Sequence, residues 1–161
     1  NEVADIFTYP LFWRDNEFGG ALIEHVAEHI PHEIKLSRTI GYSFARGHEL
    51  SHLQDGFFAF FSELWRILEP GSIAHIVVPM ANSWESHVDP DHKRQFVPAT
   101  FSYLCEPSPN APYSYNVGSK WEFAADVVYS RTGESIFEPR WGMQHLVNIV
   151  NYFYVQLRSI K

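Results

Sequence analysis

The stretch DGFFAFFSELWRILEPGSIAHIVVP, residues 55–79, constrains the fold more than any other. Asp55 stands where a helix N-cap belongs, and Phe57, Phe60, Phe61, Leu64 and Leu68 recur at the spacing of one helix face. The spacing predicts a helix over 55–68, with its phenylalanines packed in a core rather than lining a ligand box. EPGS then stops the helix, because proline disfavours the helical conformation of the residue before it. IAHIVVP (73–79) is an unbroken apolar run between a glycine turn and a proline, which suits a strand buried on both faces. Helix, tight turn and buried strand form the second half of a βαβ unit, so the expected fold class is α/β.

The rest of the chain adds strands at both ends. EVADIF (2–7) reads as a short strand closed by Pro10, and RDNEFGG (14–20) is rich in turn residues. ALIEHVAEHI (21–30) begins as a buried strand and ends in a loop or helical turn stopped by Pro31. Residues 31–54 are polar and irregular, an excursion with some helical character. TFSYL (100–104) opens a short helix, and CEPSPNAPYSYNVGS (105–119) is a loop with three prolines. KWEFAADVVYS (120–130) and NYFYVQLRSI (151–160) read as strands, with RWGMQHLVNIV (140–150) as a helix between them. At 161 residues, 45% apolar and 16% aromatic, the chain suits one domain, 1–161, with a core of ordinary size and no internal repeat.

Charge and composition exclude several functions. A net charge of −7 offers no general basic surface for nucleic acid or anionic lipid. No run approaches the roughly 18 apolar residues of a membrane helix. The single cysteine, Cys105, has no internal disulfide partner and reads as a packed thiol. NEVADIF carries neither a basic n-region nor an apolar h-region, so no signal peptide and a cytoplasmic location are expected. There is no Gly-x-Ser-x-Gly elbow and no P-loop.

Two histidine patterns compete for a functional reading. GHELSH (47–52) contains His-Glu-x-x-His, which on a helix would put His48 and His52 on one face with Glu49 as a base, the pattern of a zinc hydrolase. A third ligand is missing: Gly56 falls one residue late for the extended pattern, and position 58 is Phe. No metal is therefore expected at His48 and His52. HVAEH (25–29) is the inverted form, His-x-x-Glu-His.

The order of motifs resembles a class I S-adenosylmethionine-dependent methyltransferase. ADIFTYPLFWRDNEFGGALIEHVAEHI is similar to the stretch from that family's third strand into its fourth: an acidic residue, a Pro-aromatic segment, Asp-Asn-x-Phe, then a strand ending in Glu-His and a second His. FFSELWRILEPGSIAHIVVP resembles the next helix, its Pro-Gly turn and the fifth strand, and DPDHKRQFVPATFSYL the segment after it. The resemblance implies a truncated Rossmann-like sheet, mixed, closed by a C-terminal antiparallel pair, with 31–54 as an insertion. It also makes HVAEH a coincidence of spacing, since its residues leave the ligand-binding edge of the sheet.

Residue roles follow from the resemblance. His25 and His29 are candidate catalytic bases, imidazole being titratable near neutral pH. Asp5 and Glu24 are candidate cofactor contacts, and Asp89, His92 and Arg94 candidate substrate contacts, with Trp84 and Phe96 as loop packing. An internal ion pair such as Asp89 with Arg94 is the alternative for the last group. The family's Gly-rich cofactor loop has no counterpart, because no Gly-x-Gly occurs, and Gly19 replaces the acid that usually follows Asn-x-Phe. The first two strands are also absent. S-adenosylmethionine is thus expected to bind weakly or not at all to this chain alone. An enzyme acting on a small-molecule acceptor would need upstream sequence or a partner chain; a noncatalytic assembly or binding module is the alternative. The missing strands predict a homodimer, or a chain that supplies them, through aromatics such as Phe7, Tyr9, Phe12 and Trp13.

Overall fold

A computed structural model describes residues 11–35, 53–105, 119–130 and 150–161. EVADIF, GHELSH and most of RWGMQHLVNIV lie outside the described residues, as do Asp5, Phe7 and Tyr9. The framework is one five-stranded sheet. β1 (Phe18–Glu24) runs parallel to β4 (Leu68–Pro79), and β7 (Tyr152–Ser159) lies antiparallel on the other side of β4. β5 (Trp121–Phe123) and β6 (Val128–Ser130) both pair antiparallel with β7. The sheet is mixed and mostly antiparallel, with one parallel pair among the described residues. β4 is an interior strand, and its last four residues, Ile76 to Pro79, are buried on both faces.

α1 (Gly56–Ile67) sits where the apolar periodicity puts it. The Asp55 carboxylate caps it, accepting from the Phe57 amide at 2.9 Å and the Phe58 amide at 3.4 Å. Phe57, Phe60, Phe61 and Leu64 face the core, and Leu68 is already the first residue of β4. The Pro-Gly turn becomes a bulge in the parallel ladder rather than a gap before it. Phe18 pairs with Leu68 and Gly20 with Ile73, so the extra residues around Gly71, at φ 79°, loop out.

The core lies between α1 and one face of the sheet. Ile23, Ala74, Ile76, Val78, Phe153, Val155 and Leu157 alternate along β1, β4 and β7 into this layer. Phe61, Phe96, Phe101, Trp121 and Phe153 interlock there, Phe61 meeting Phe101 edge-on at 5.9 Å and Trp121 at 6.3 Å. Each such ring contributes about 1.5–3 kcal/mol by leaving water.

Two expectations need correction. The strand foreseen over 120–130 is two short strands, because Phe123 pairs with Leu157 and Val128 with Tyr154. Five steps on one side face three on the other, and the surplus breaks the ladder. The excursion is not irregular at its ends. β2 (Glu33–Lys35) and β3 (Leu53–Asp55) form an antiparallel pair, so its two ends are joined by one short ladder. A short helix, Pro98–Phe101, continued by a 3-10 turn (Ser102–Leu104), begins two residues ahead of TFSYL, as proline at a first helical position allows.

Candidate functional site

β1 and β4 both point their C-terminal ends at the same edge of the sheet, and the chain leaves β1 there by a strained step. His25 has φ 53°, a left-handed conformation that an L side chain rarely adopts, while its amide donates to the Val77 carbonyl at 3.1 Å. The backbone then makes a 3-10 turn, Ala27–His29, which buries Glu28 to 1% exposure.

A second loop, 89–94, is latched onto this turn. The Lys93 and Arg94 amides donate to the Glu28 carbonyl at 2.8 and 3.0 Å. Arg94 donates to the Ile30 and Pro31 carbonyls at 3.0 and 2.8 Å and pairs with Asp55 at 3.0 Å. The ion partner of Arg94 is therefore Asp55, not Asp89. Asp89 instead shapes its own loop by accepting from the Asp91 amide at 2.8 Å.

The latch gathers five ionisable side chains. His25 Nδ1 lies 3.2 Å from Glu28 Oε1, and His92 Nε2 is 3.9 Å from the same oxygen. The His29 and His92 rings meet edge-on at 4.9 Å, and His29 Nδ1 is 3.5 Å from Asp91 Oδ2. His92 Nδ1 donates to the Ser86 carbonyl at 3.2 Å, which turns Nε2 toward Glu28. The hydrogen bond to Glu28 raises the pKa of His25 against the opposing effect of burial, with the charges of Glu28 and Glu24 adding to it. Glu28 Oε2 is buried and has no hydrogen-bond partner among the described residues. An orphaned buried polar atom costs about 1–3 kcal/mol.

His92 also lines a cavity of about 720 Å³, together with Asp55, Phe58, Ser86, Arg94 and Tyr103. Its wall is mixed aromatic and polar, but the Arg94 guanidinium is already taken by two carbonyls and Asp55.

Of the residues singled out from sequence, His25, His29 and His92 come together, with Glu24 next to His25 as the exposed last residue of β1. Asp89 and Arg94 shape the enclosing loop, Trp84 is exposed and Phe96 buried in the core. Sequence reasoning missed Glu28, although HVAEH carried the signal: two of its three polar members, Glu28 and His29, meet His92.

A glycine is where a ligand such as S-adenosylmethionine can come closest to the backbone. An added Cβ at Gly20 would meet the Ile73 carbonyl at 3.3 Å, at Gly19 the Glu69 carboxylate at 3.8 Å, and at Gly71 nothing within 4 Å. The one tight approach, at Gly20, is to the neighbouring strand of the sheet itself.

No protein-family model and no curated protein matches the chain. Among solved structures, it is similar to a SAM-dependent methyltransferase from Archaeoglobus fulgidus, at 14% identity and a TM-score of 0.51, over 96% of this chain and 65% of that one. A second similar structure is described as "Conversion of a Disulfide Bond into a Thioacetal Group during Echinomycin Biosynthesis". It is 16% identical with a TM-score of 0.45, over 99% of this chain and 55% of that one. The chain spans less than two thirds of the length of either. The fold is methyltransferase-like. No helix among the described residues is long and apolar enough to cross a membrane.

Proposed function

We propose that this chain is the acceptor-side portion of a methyltransferase-like protein and that it does not bind S-adenosylmethionine tightly by itself. The observation that carries the reading is the gathering of His25, Glu28, His29 and His92 at the carboxyl edge of the parallel pair. Open α/β sheets bind ligands at that edge. In this reading His25 and His29 are the groups placed to take a proton from an acceptor, and the cavity beside His92 holds a small molecule. Sequence before residue 1, or a partner chain, supplies the cofactor loop. Asp5 and Glu24 remain the candidate contacts to the cofactor.

The reading is tested by calorimetry with S-adenosylmethionine. Each hydrogen bond missing to a charged cofactor removes about 1.5–3 kcal/mol, and the family's loop makes several. No binding tighter than about 1 mM is expected for this chain alone. Micromolar affinity, about −8 kcal/mol, would mean a rebuilt site and would sink the proposal.

A noncatalytic assembly module is the second reading, favoured by the edge of β1. Among the described residues β1 pairs only with β4, and Leu22 on it is 68% exposed. Phe12, expected at an interface, is also exposed, whereas Trp13 packs against the core beside Phe18. A symmetric homodimer would cover that edge. Light scattering over a concentration series decides: a monomer that persists at tens of micromolar removes the homodimer and leaves a different chain as the cover.

A further inference from the structure

We infer that Glu28, His29 and His92 form a site for a divalent transition metal ion, which would leave His25 as the proton acceptor of the methyl-transfer reading. One donor atom from each lies within 4.8 Å of the others. Zinc bonds of about 2.0–2.2 Å put donors roughly 3–3.5 Å apart, so small side-chain rotations close the site. Two imidazoles and one carboxylate are a donor set that zinc and ferrous iron both take, with at least one position left for water or another oxygen donor.

The surroundings are those of a metal site rather than of a chance cluster. Buried Glu28 gives one oxygen to His25, while the other has no partner among the described residues. A metal ion would supply the further partner that this carboxylate lacks among the described residues. Each imidazole is also held from behind. The Ser86 carbonyl accepts from His92 Nδ1 and so presents Nε2, and Asp91 faces His29 Nδ1. Metal-bound histidines almost always give their second nitrogen to a carboxylate or a backbone carbonyl. His92 lines the cavity, so the open position would border space for a ligand.

HVAEH thereby acquires a use different from the one its spacing suggests. The chain does not present His25 and His29 on a helix. It spends His25 on orienting Glu28 and brings the third donor, His92, from a loop 63 positions beyond His29.

The test uses the chain stripped with EDTA, dialysed, and titrated with Zn²⁺ in a calorimeter and with Co²⁺ in a visible spectrometer. One ion per chain is expected, with Co²⁺ giving the intense d–d bands of a four- or five-coordinate site. His29→Ala and His92→Ala should each weaken Zn²⁺ at least about 100-fold, and Asp91→Asn about 10-fold. His48→Ala with His52→Ala should leave the affinity unchanged, which separates this site from GHELSH. Circular dichroism checks each variant. Where an alanine variant loses its fold, Asp91→Asn carries the test, because Asp91 is exposed. The assignment is overturned if the wild type takes up no Zn²⁺ below about 100 μM, if folded His29, His92 and Asp91 variants bind as the wild type does, or if the ion is lost from the His48/His52 variant instead.

Discussion

Glu63 and Glu28 are almost equally buried, at 2% and 1% exposure, and the chain treats them in opposite ways. Glu63 lies on α1, one helical turn from Arg66, and both of its oxygens are used. Arg66 donates to Oε1 at 2.6 Å and to Oε2 at 3.0 Å, and the Leu11 amide donates to Oε1 at 2.7 Å. The same guanidinium reaches Asp15 at 2.6 Å and the Leu11 and Trp13 carbonyls at 3.2 and 2.9 Å. This network ties the segment before β1 to the helix. Glu28 has one imidazole on one oxygen and no partner on the other among the described residues. A satisfied buried charge holds a fold together; a half-satisfied one keeps a binding capacity in reserve.

The same substitution at the two positions tests that contrast. Glu63→Gln strips Arg66, itself only 18% exposed, of the buried carboxylate that it meets with two nitrogens. Removing one partner of a buried pair costs about 3–5 kcal/mol, and the remaining Asp15 contact places the expected loss near 3. Urea denaturation should show the midpoint falling with the slope unchanged. A loss below about 1 kcal/mol would mean that the network does not hold the segment.

Between the two glutamates stands Asp55, which caps α1 and also anchors Arg94 beneath the site. Asp55→Ala should cost about 1–2 kcal/mol, nearly all from the cap, because the ion pair is partly exposed and contributes little. Asp55→Asn keeps the cap and loses only the pair, so it should recover most of that stability. An asparagine variant as unstable as the alanine one would shift the weight to Arg94.

The fold was more legible than the site. α1, its Asp55 cap and β4 follow from periodicity and turn chemistry, which act over a few residues; α1 and its cap stand where the sequence puts them, while β4 contains the expected 73–79 but begins at Leu68. The interruption between Phe123 and Val128 was not legible, since a bulge depends on the register of β7 across the sheet. His25, His29 and His92 could be named from their place after strands, but not their common partner. Glu28 is buried by a turn and enclosed by a loop latched through backbone bonds, which leave no trace in residue type. Glu63 and Arg66 are legible as a helical pair, whereas their burial depends on residues 11–15.

Glu28→Gln should change the stability of metal-free protein by less than about 1 kcal/mol, in contrast with Glu63→Gln. The amide oxygen can still accept from His25, and the uncompensated buried charge is gone. Zinc sharpens the difference. At 100 times its dissociation constant a bound ion adds about 2.7 kcal/mol, so Zn²⁺ should raise the Tm of the wild type and of Glu63→Gln but not of Glu28→Gln. A large loss in metal-free Glu28→Gln would make Glu28 a structural anchor like Glu63.

Cys105 extends the comparison to a buried acid with no cation beside it among the described residues. Burial raises its pKa from 9.0 to about 11, with the charge of Glu122 adding to the effect. The native thiol therefore keeps its proton where the unfolded thiol has lost it. Its contribution to stability is complete below pH 9 and is lost as the pH rises toward about 11, because the unfolded state there binds fewer protons. Alkylation reads this directly, since the thiolate is the reacting form. At pH 8 these pKa values leave the native chain on the order of 100-fold less thiolate than the unfolded chain. Iodoacetamide should label the folded protein at least that much more slowly than the protein in urea, the buried sulfur slowing it further. A native rate within tenfold of the unfolded one would mean that residues 101–105 open often enough to expose the thiol. The core around Phe101 would then be looser than its interlocked rings indicate.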